Sequence, residues 1–284
     1  MGSRKKVVRP SARREVASAI EAEFSFSERR VCRLTNLARN TKRYTRVAKD
    51  DSSELASIQR IVKANPRYEC PRVYLMLRKE GLKINHKKVH RLYTNAGLQL
   101  RNRPPKRKRR RPVSELPRPL DRDQKWSMDF VHDNLSDGRP IRILTVLDEF
   151  TRECVAMEVD TSLSSSRVIT VLERLKSQRG LPTELGLDSG SEFTSLGFEQ
   201  WAKNNGISVG YCQPGKKNEN AFIESFNGRL RDECLNMNWF LTLREARNLI
   251  ERWRIQYNEF RPHSSLGGLS PTEFVQDLEK KKVA

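Results

Sequence analysis

No stretch of this 284-residue chain approaches the ~18 consecutive apolar residues that a membrane span needs, and no charged-then-apolar leader opens it. Both absences predict a soluble, intracellular protein. Met1-Gly2 is not a myristoylation signal, because Lys6 stands where Ser or Thr is needed. The five cysteines (Cys32, Cys70, Cys154, Cys212, Cys234) are scattered, odd in number and without CxxC spacing, which excludes a disulfide framework and predicts ordinary reduced residues. His86 and His90, four apart on a predicted helix, have no such cysteine pair to complete four zinc ligands. Apolar residues are also scarce at 36%, so part of the chain is expected to be extended or linker-like.

Acid is what the first two-fifths lacks. Residues 1–112 hold 32 Lys/Arg against 9 Asp/Glu, whereas residues 113–284 hold 23 against 26. A polycation joined to a near-neutral remainder separates binding from some other task, and the expected partner is nucleic acid.

Residues 1–12 read as a basic disordered arm. Residues 13–48 read as a first helix-turn-helix-like module, with a helix over Arg13–Ala22, a capping box at Ser25-Phe26-Ser27-Glu28 and a short helix burying Val31 and Leu34. A further helix carries Arg39, Lys42 and Arg43. Residues 49–98 form a second helical DNA-binding module, with helices over Glu54–Ala64, Pro71–Lys79 and His86–Ala96, the last capped by Asn85 and stopped by Gly97. Its apolar positions are Val89, Leu92 and Tyr93. Lys87, Lys88, His90 and Arg91 face outward, as on a recognition helix, although a solvated basic face would read the same way. Residues 99–119 are a linker; Arg101–Arg111 has eight basic residues in eleven and two prolines, so Lys106, Arg107, Lys108, Arg109, Arg110 and Arg111 are expected to bind phosphates.

From residue 120 to 238 the texture becomes α/β. Lys125–His132 reads as a strand with Trp126, Met128 and Phe130 on one face and Asp129 on the other. Ile141–Leu147 is a buried strand, and Glu153–Val159 is a third with Val155, Met157 and Val159 inward. A helix over Ser164–Gln178, a strand over Thr183–Leu187 ending at Asp188, a helix over Phe198–Asn204, a strand over Ile207–Tyr211 and a helix over Asn218–Leu235 follow. The order βββαβαβα is that of a ribonuclease-H-like catalytic core. Residues 239–284 read as a long helix, Leu243–Phe260, then an irregular segment and a Lys-rich tail.

Three acids stand in suggestive places: Asp129 mid-strand, Asp188 at a strand end and Glu224 on a helix. Transfer of a phosphodiester uses two divalent cations ~3.5–4 Å apart, and Mg²⁺ takes hard oxygen ligands, so two or three carboxylates suffice. Asn220, Asn227 and Arg231 share the helical face of Glu224 and are expected to support it or touch DNA. Lys216 and Lys217, in the loop before that helix, suit a grip on DNA near the cut. Asp133, Asp148 and Glu192 read as turn or surface residues.

The segments WSMDF, LTVLDEFTRE, LDSGSEFTS and NAFIESFNGRLRDECLN resemble the catalytic core of bacterial insertion-sequence transposases of the retroviral-integrase-like DDE class. YNEFRPHSSLGGLSPTEF resembles that family's C-terminal signature, and residues 27–96 resemble its N-terminal modules. The 35 residues between Asp188 and Glu224 match the family's spacing. The family usually has Asp-Asn-Gly where Asp188-Ser189-Gly190 stands, and Gly-Tyr-Arg-Arg where Glu69-Cys70-Pro71-Arg72 stands. The resemblance implies a catalytic, metal-binding triad of Asp129, Asp188 and Glu224 with two Mg²⁺ (or Mn²⁺). It implies 3′-end cleavage and strand transfer on double-stranded DNA (element ends and target), and a homo-oligomer on that DNA. It also implies the second-reading-frame product of a two-frame element, acting as a frameshift fusion with an upstream-frame helix-turn-helix protein in the bacterial cytoplasm, at the nucleoid. A simple nuclease on the same fold and a catalytically impaired DNA-binding or regulatory copy remain as alternatives.

Overall fold

The computed structural model describes residues 9–45, 50–100, 119–212 and 220–283. The chain divides into two compact units, Met1–Ser53 and Glu54–Ala284.

The first unit has three helices, α1 (Pro10–Phe24), α2 (Glu28–Leu34) and α3 (Arg39–Arg43), around Ala17, Val31 and Leu37. Helix α1 starts earlier than Arg13 and takes in part of the expected arm, because Pro10 at its first turn has its φ preset and no amide left unsatisfied. The expected capping box does not form. Ser25 instead ends α1 in the left-handed region (φ 49°), and Ser27 takes the N-cap position of α2. Leu34 is exposed rather than buried. Lys42 pairs with Glu21, and the Arg43 guanidinium makes two bonds (2.9 and 2.6 Å) to Glu28, so these two cations tie α3 to α1 and α2.

The second unit opens with α4 (Ser52–Ala64), α5 (Cys70–Lys79) and α6 (His86–Asn95), which close on Ile58, Ile61, Val73, Leu77, Val89 and Leu92. The Asn85 side chain accepts the Lys87 amide (2.8 Å), the N-cap read from sequence.

Beyond residue 118 lies a five-stranded sheet. Strands β1 (Lys125–Asn134), β2 (Pro140–Asp148) and β3 (Cys154–Asp160) form an antiparallel meander; β4 (Glu184–Leu187) and β5 (Ser208–Tyr211) add in parallel, giving the order β3-β2-β1-β4-β5. Helices α7 (Ser165–Arg179) and α8 (Leu196–Asn204) cover one face, burying Trp126, Met128, Leu144, Val146, Leu185 and Leu187. The opposite face carries Val131, Ile141, Ile143 and Leu147 and is covered by α9 (Ala221–Glu233) and α10 (Leu243–Glu259). Each strand of β1 and β2 therefore alternates between two cores, which is what a sheet sandwiched by helices demands.

Two expectations need correction here. On β3, Val155, Met157 and Val159 do not share one buried face: a register shift at Val146/Leu147 sends Cys154 and Val159 to the α9/α10 side and Ala156 to the α7/α8 side. The expected irregular tail contains a helix, α11 (Pro271–Val283). Ser270-Pro271-Thr272-Glu273 is a capping box, in which the Ser270 hydroxyl accepts the Glu273 amide (3.3 Å) and Glu273 accepts the Ser270 amide (2.7 Å), with Pro271 opening the first turn.

Candidate active site

Asp129 sits in the middle of β1, on the face covered by α9. The parallel register pairs Lys125 with Glu184 and Ser127 with Gly186, so the same offset carried two residues further brings Asp188, just past the end of β4, level with Asp129. Strands so paired lie ~4.8 Å apart. Glu224 is exposed in the first turn of α9, above the same face.

Local chemistry holds each position. One Asp129 oxygen accepts the Phe130 amide (2.7 Å), and the other accepts the side-chain amide of Asn227 (2.7 Å), one turn along α9 from Glu224. Asn227 is itself oriented: its carbonyl accepts the hydroxyl of Thr145 (3.0 Å), a wholly buried residue directly across the β1–β2 ladder from Asp129. Past β4, the Gly190 amide bonds back to Asp188 (3.1 Å), closing a turn in which a Cβ at Gly190 would stand 3.1 Å from the Asp188 carboxylate. Phe193, fully buried and stacked on Phe130 (5.1 Å), pins the segment after Asp188 to the sheet, and Arg142 bonds Glu192 (2.6 Å) alongside.

The electrostatics are one-sided. Burial pushes the Asp129 carboxyl above the ordinary carboxylate range, and the like charges of Asp188 and Glu224 push it further; the Phe130 amide and Asn227 oppose them. Nearby acids such as Glu192 and Glu184 have basic partners, Arg142 and Lys125, yet none of Asp129, Asp188 and Glu224 has one among the described residues. Three hard-oxygen groups, mutually repelling and uncompensated, are the donor set that fits a divalent cation such as Mg²⁺. Among the described residues no three His, Cys, Asp or Glu side chains converge tightly enough to hold one ion as they stand.

Comparison with known proteins decides the family. An integrase core domain model matches residues 120–217, a second integrase core domain model matches 205–271, and an HTH-like domain model matches 49–108. The chain is 43% identical, over 91% of its length and 94% of the relative's, to the uncharacterized 31.7 kDa protein of insertion element IS407 from Burkholderia multivorans. The chain belongs to the insertion-sequence transposases with an integrase-like core. It is also 26% identical to transposase InsF of insertion sequence IS3A from Escherichia coli, over 89% of this chain and 95% of that one. A chain in the cryo-EM structure of a simian T-cell lymphotropic virus intasome in complex with PP2A regulatory subunit B56 gamma shares the fold, at a TM-score of 0.52 and 14% identity over 76% of this chain and 73% of that chain.

Other candidate residues of the transposase fall into distinct environments. Arg231 donates to the His132 carbonyl (3.1 Å) and so tethers α9 to β1. Asn220, at the N-terminal end of α9, has a buried side-chain oxygen without a hydrogen-bond partner among the described residues. Lys87, His90 and Arg91 are exposed on α6, whereas Lys88 is half-buried and paired with Glu54; Arg39 is exposed on α3. Lys216, Lys217, Lys106, Arg107, Lys108, Arg109, Arg110 and Arg111 lie outside the described residues. Asp148, expected to be a turn or surface residue, is instead the last residue of β2 and wholly buried, accepting the amides of Asp123, Phe150 and Thr151.

Thr145 and Glu149 were not found by sequence reasoning. Thr145 was legible only as a lone hydroxyl within the apolar run of β2. Glu149, in the turn after β2, is buried and accepts the Ser127 hydroxyl, two residues before Asp129 on the same face. Burial raises its carboxyl above the usual range, while Ser127, Lys125 and Arg152 pull it back.

Proposed function

We propose that this transposase joins DNA strands with Asp129, Asp188 and Glu224 as its catalytic carboxylates. What carries this reading is the uncompensated charge: three acids on one face of the sheet, without basic partners among the described residues, in a chain of net charge +20. The integrase-core family is divalent-metal-dependent, and two Mg²⁺ (or Mn²⁺) held by these acids would supply activation of the attacking oxygen and stabilisation of the leaving one. The chain's own residues do the positioning. Asn227 fixes the Asp129 carboxylate, Thr145 fixes Asn227, and the Gly190 turn fixes Asp188.

In the first step a water oxygen attacks phosphorus at the 3′ end of the element, and the 3′ oxygen leaves as a hydroxyl. In the second, that hydroxyl attacks a target phosphodiester, whose own 3′ oxygen leaves. No covalent protein–DNA bond forms. The exposed α6 residues Lys87, His90 and Arg91, with Arg39 of α3, serve DNA binding, and the transposase works as an oligomer on element ends and target, fused to an upstream-frame helix-turn-helix protein.

The test incubates the full chain, alone and fused to that partner, with end-bearing DNA and Mg²⁺. Asp129→Asn or Glu224→Gln is expected to reduce joining at least ~10²-fold with DNA binding retained; unchanged joining would sink the assignment. Cleavage without joining by the wild type indicates the simple nuclease, and binding without any product the impaired copy.

A further inference from the structure

The two motifs that the catalytic chemistry leaves unused meet in space. Arg72 belongs to Glu69-Cys70-Pro71-Arg72 at the start of α5, and Arg261 and His263 belong to the Arg-Pro-His segment after α10. With Arg229 of α9 and Glu69 they line a cavity of about 210 Å³.

The charges in this cavity are unevenly matched. Arg261, 2% exposed, makes a bidentate pair with Glu233 of α9 (2.6 and 2.8 Å). Arg72 reaches the same carboxylate only at 3.9 Å. Arg229 has no hydrogen bond or ion pair among the described residues, and Glu69 on the rim has no ion pair there either. One buried carboxylate therefore answers three guanidiniums. His263 shows the excess: 4% exposed, it is held down to about 2 by burial and by Arg261, Arg229, Arg72 and Arg152, and its Nε2 has no hydrogen-bond partner among the described residues. Burial and Arg261 likewise lower Arg72. An unpartnered, buried polar atom beside converging guanidiniums is the signature of a site awaiting an anion with several acceptor oxygens.

We propose that Arg72, Arg229 and Arg261 form a phosphate-binding pocket that seats one backbone phosphate of DNA. The choice of DNA over free inorganic phosphate rests on the strand-joining function proposed above. It also rests on the setting, since the pocket joins the helical module to the helix bearing Glu224. A phosphate held there would set the register of the duplex between the two, a positioning contact without base specificity.

Duplex binding by the full chain, measured between about 50 and 200 mM salt, tests this. Arg229→Gln removes one guanidinium while leaving the Arg261–Glu233 pair and all three carboxylates in place. The slope of log K against log salt should fall by about 0.9, so that over this range the variant loses about 3.5-fold less affinity than the wild type. Arg229→Lys should restore most of the slope. Ser265→Glu, a carboxylate added at the exposed rim, should lower it again, and covers the case in which Arg229→Gln does not fold. Asp129→Asn should abolish joining and keep the wild-type slope, which separates failure of the catalytic assignment from failure of the pocket. Wild-type slope and affinity in a folded Arg229→Gln would overturn the proposal. So would stabilisation by excess inorganic phosphate that Arg229→Gln abolishes while duplex binding stays unchanged, since the pocket would then hold a free anion.

Discussion

Asn227→Ala is the sharpest perturbation of the candidate active site. The side-chain amide of Asn227 is the only described side chain that donates to Asp129, at 2.7 Å. A hydrogen bond to a charged group contributes about 1.5–3 kcal/mol; with Asp129 half-buried, about 1–2 kcal/mol is the appropriate share. Thr145 is not orphaned by the change, because its hydroxyl also reaches the Asp129 carbonyl (3.1 Å). The stability loss should therefore stay near 1 kcal/mol. The effect on rate should be larger, since freeing a reacting group by about 1 Å costs on the order of 10²-fold. The assay is single-turnover joining of end-bearing DNA with Mg²⁺, beside duplex affinity and the urea midpoint. The expected pattern is joining down about 10²-fold with affinity unchanged. Thr145→Val should cost less, about tenfold, and because Thr145 acts through Asn227 the double variant should equal Asn227→Ala alone. Joining within twofold of wild type in a folded Asn227→Ala would refute the reasoning, and additive losses would refute the Thr145 link.

Gly190→Ala places a Cβ 3.1 Å from the Asp188 carboxylate and 3.4 Å from that of Glu192, so joining should fall at least about tenfold with little change in the urea midpoint; full activity would show that Asp188 does not depend on this turn. Glu233→Gln leaves Arg261 buried without its bidentate partner and should destabilise the chain by about 3 kcal/mol, whereas replacing both residues with apolar side chains should recover much of the loss in urea titrations. The folded state rejects the proton that His263 accepts in the unfolded chain, so this contribution is fully present above pH 6.5 and is lost as the pH falls toward about 2. At pH 5 the loss is about 2 kcal/mol relative to pH 7.5. Wild type and His263→Phe should differ by that amount in the pH dependence of urea unfolding; equal pH dependence would show that the imidazole does not remain neutral.

Features set by one strand or one helix were legible in the sequence. The alternation of Trp126, Met128 and Phe130 with Asp129 and Val131 shows which face of β1 bears the acid, and Asn85 marks the start of α6. Features set by pairing between distant segments were not. Thr145 matters because the antiparallel register puts it opposite Asp129, and Lys42 is committed because Glu21, 21 residues earlier, folds back onto it. Nor can periodicity foresee the register shift at Val146/Leu147 that splits β3 between two cores. Capping motifs failed in both directions. Ser25-Phe26-Ser27-Glu28 has the right letters, but its first serine is taken by the end of the preceding helix. Ser270-Pro271-Thr272-Glu273 forms the box inside a segment that reads as irregular.

Helix α9 links these observations, and its geometry shows how its two sides divide the work. At roughly 100° per residue, Glu224, Asn227 and Arg231 fall on one side and Phe222, Phe226, Arg229 and Glu233 on the other. The first side reaches β1 twice, through Asn227 to Asp129 and through Arg231 to the His132 carbonyl. The second is packed by Trp253 and Tyr257 against Phe226 and clamped by Arg261 on Glu233. Any rotation of α9 that moved Glu224 would thus strain contacts with the sheet, α10 and the Arg-Pro-His segment together. A packed interior resists such rotation, so the Arg-Pro-His segment of this chain acts at a distance: it fixes the azimuth of the helix from which Glu224 projects.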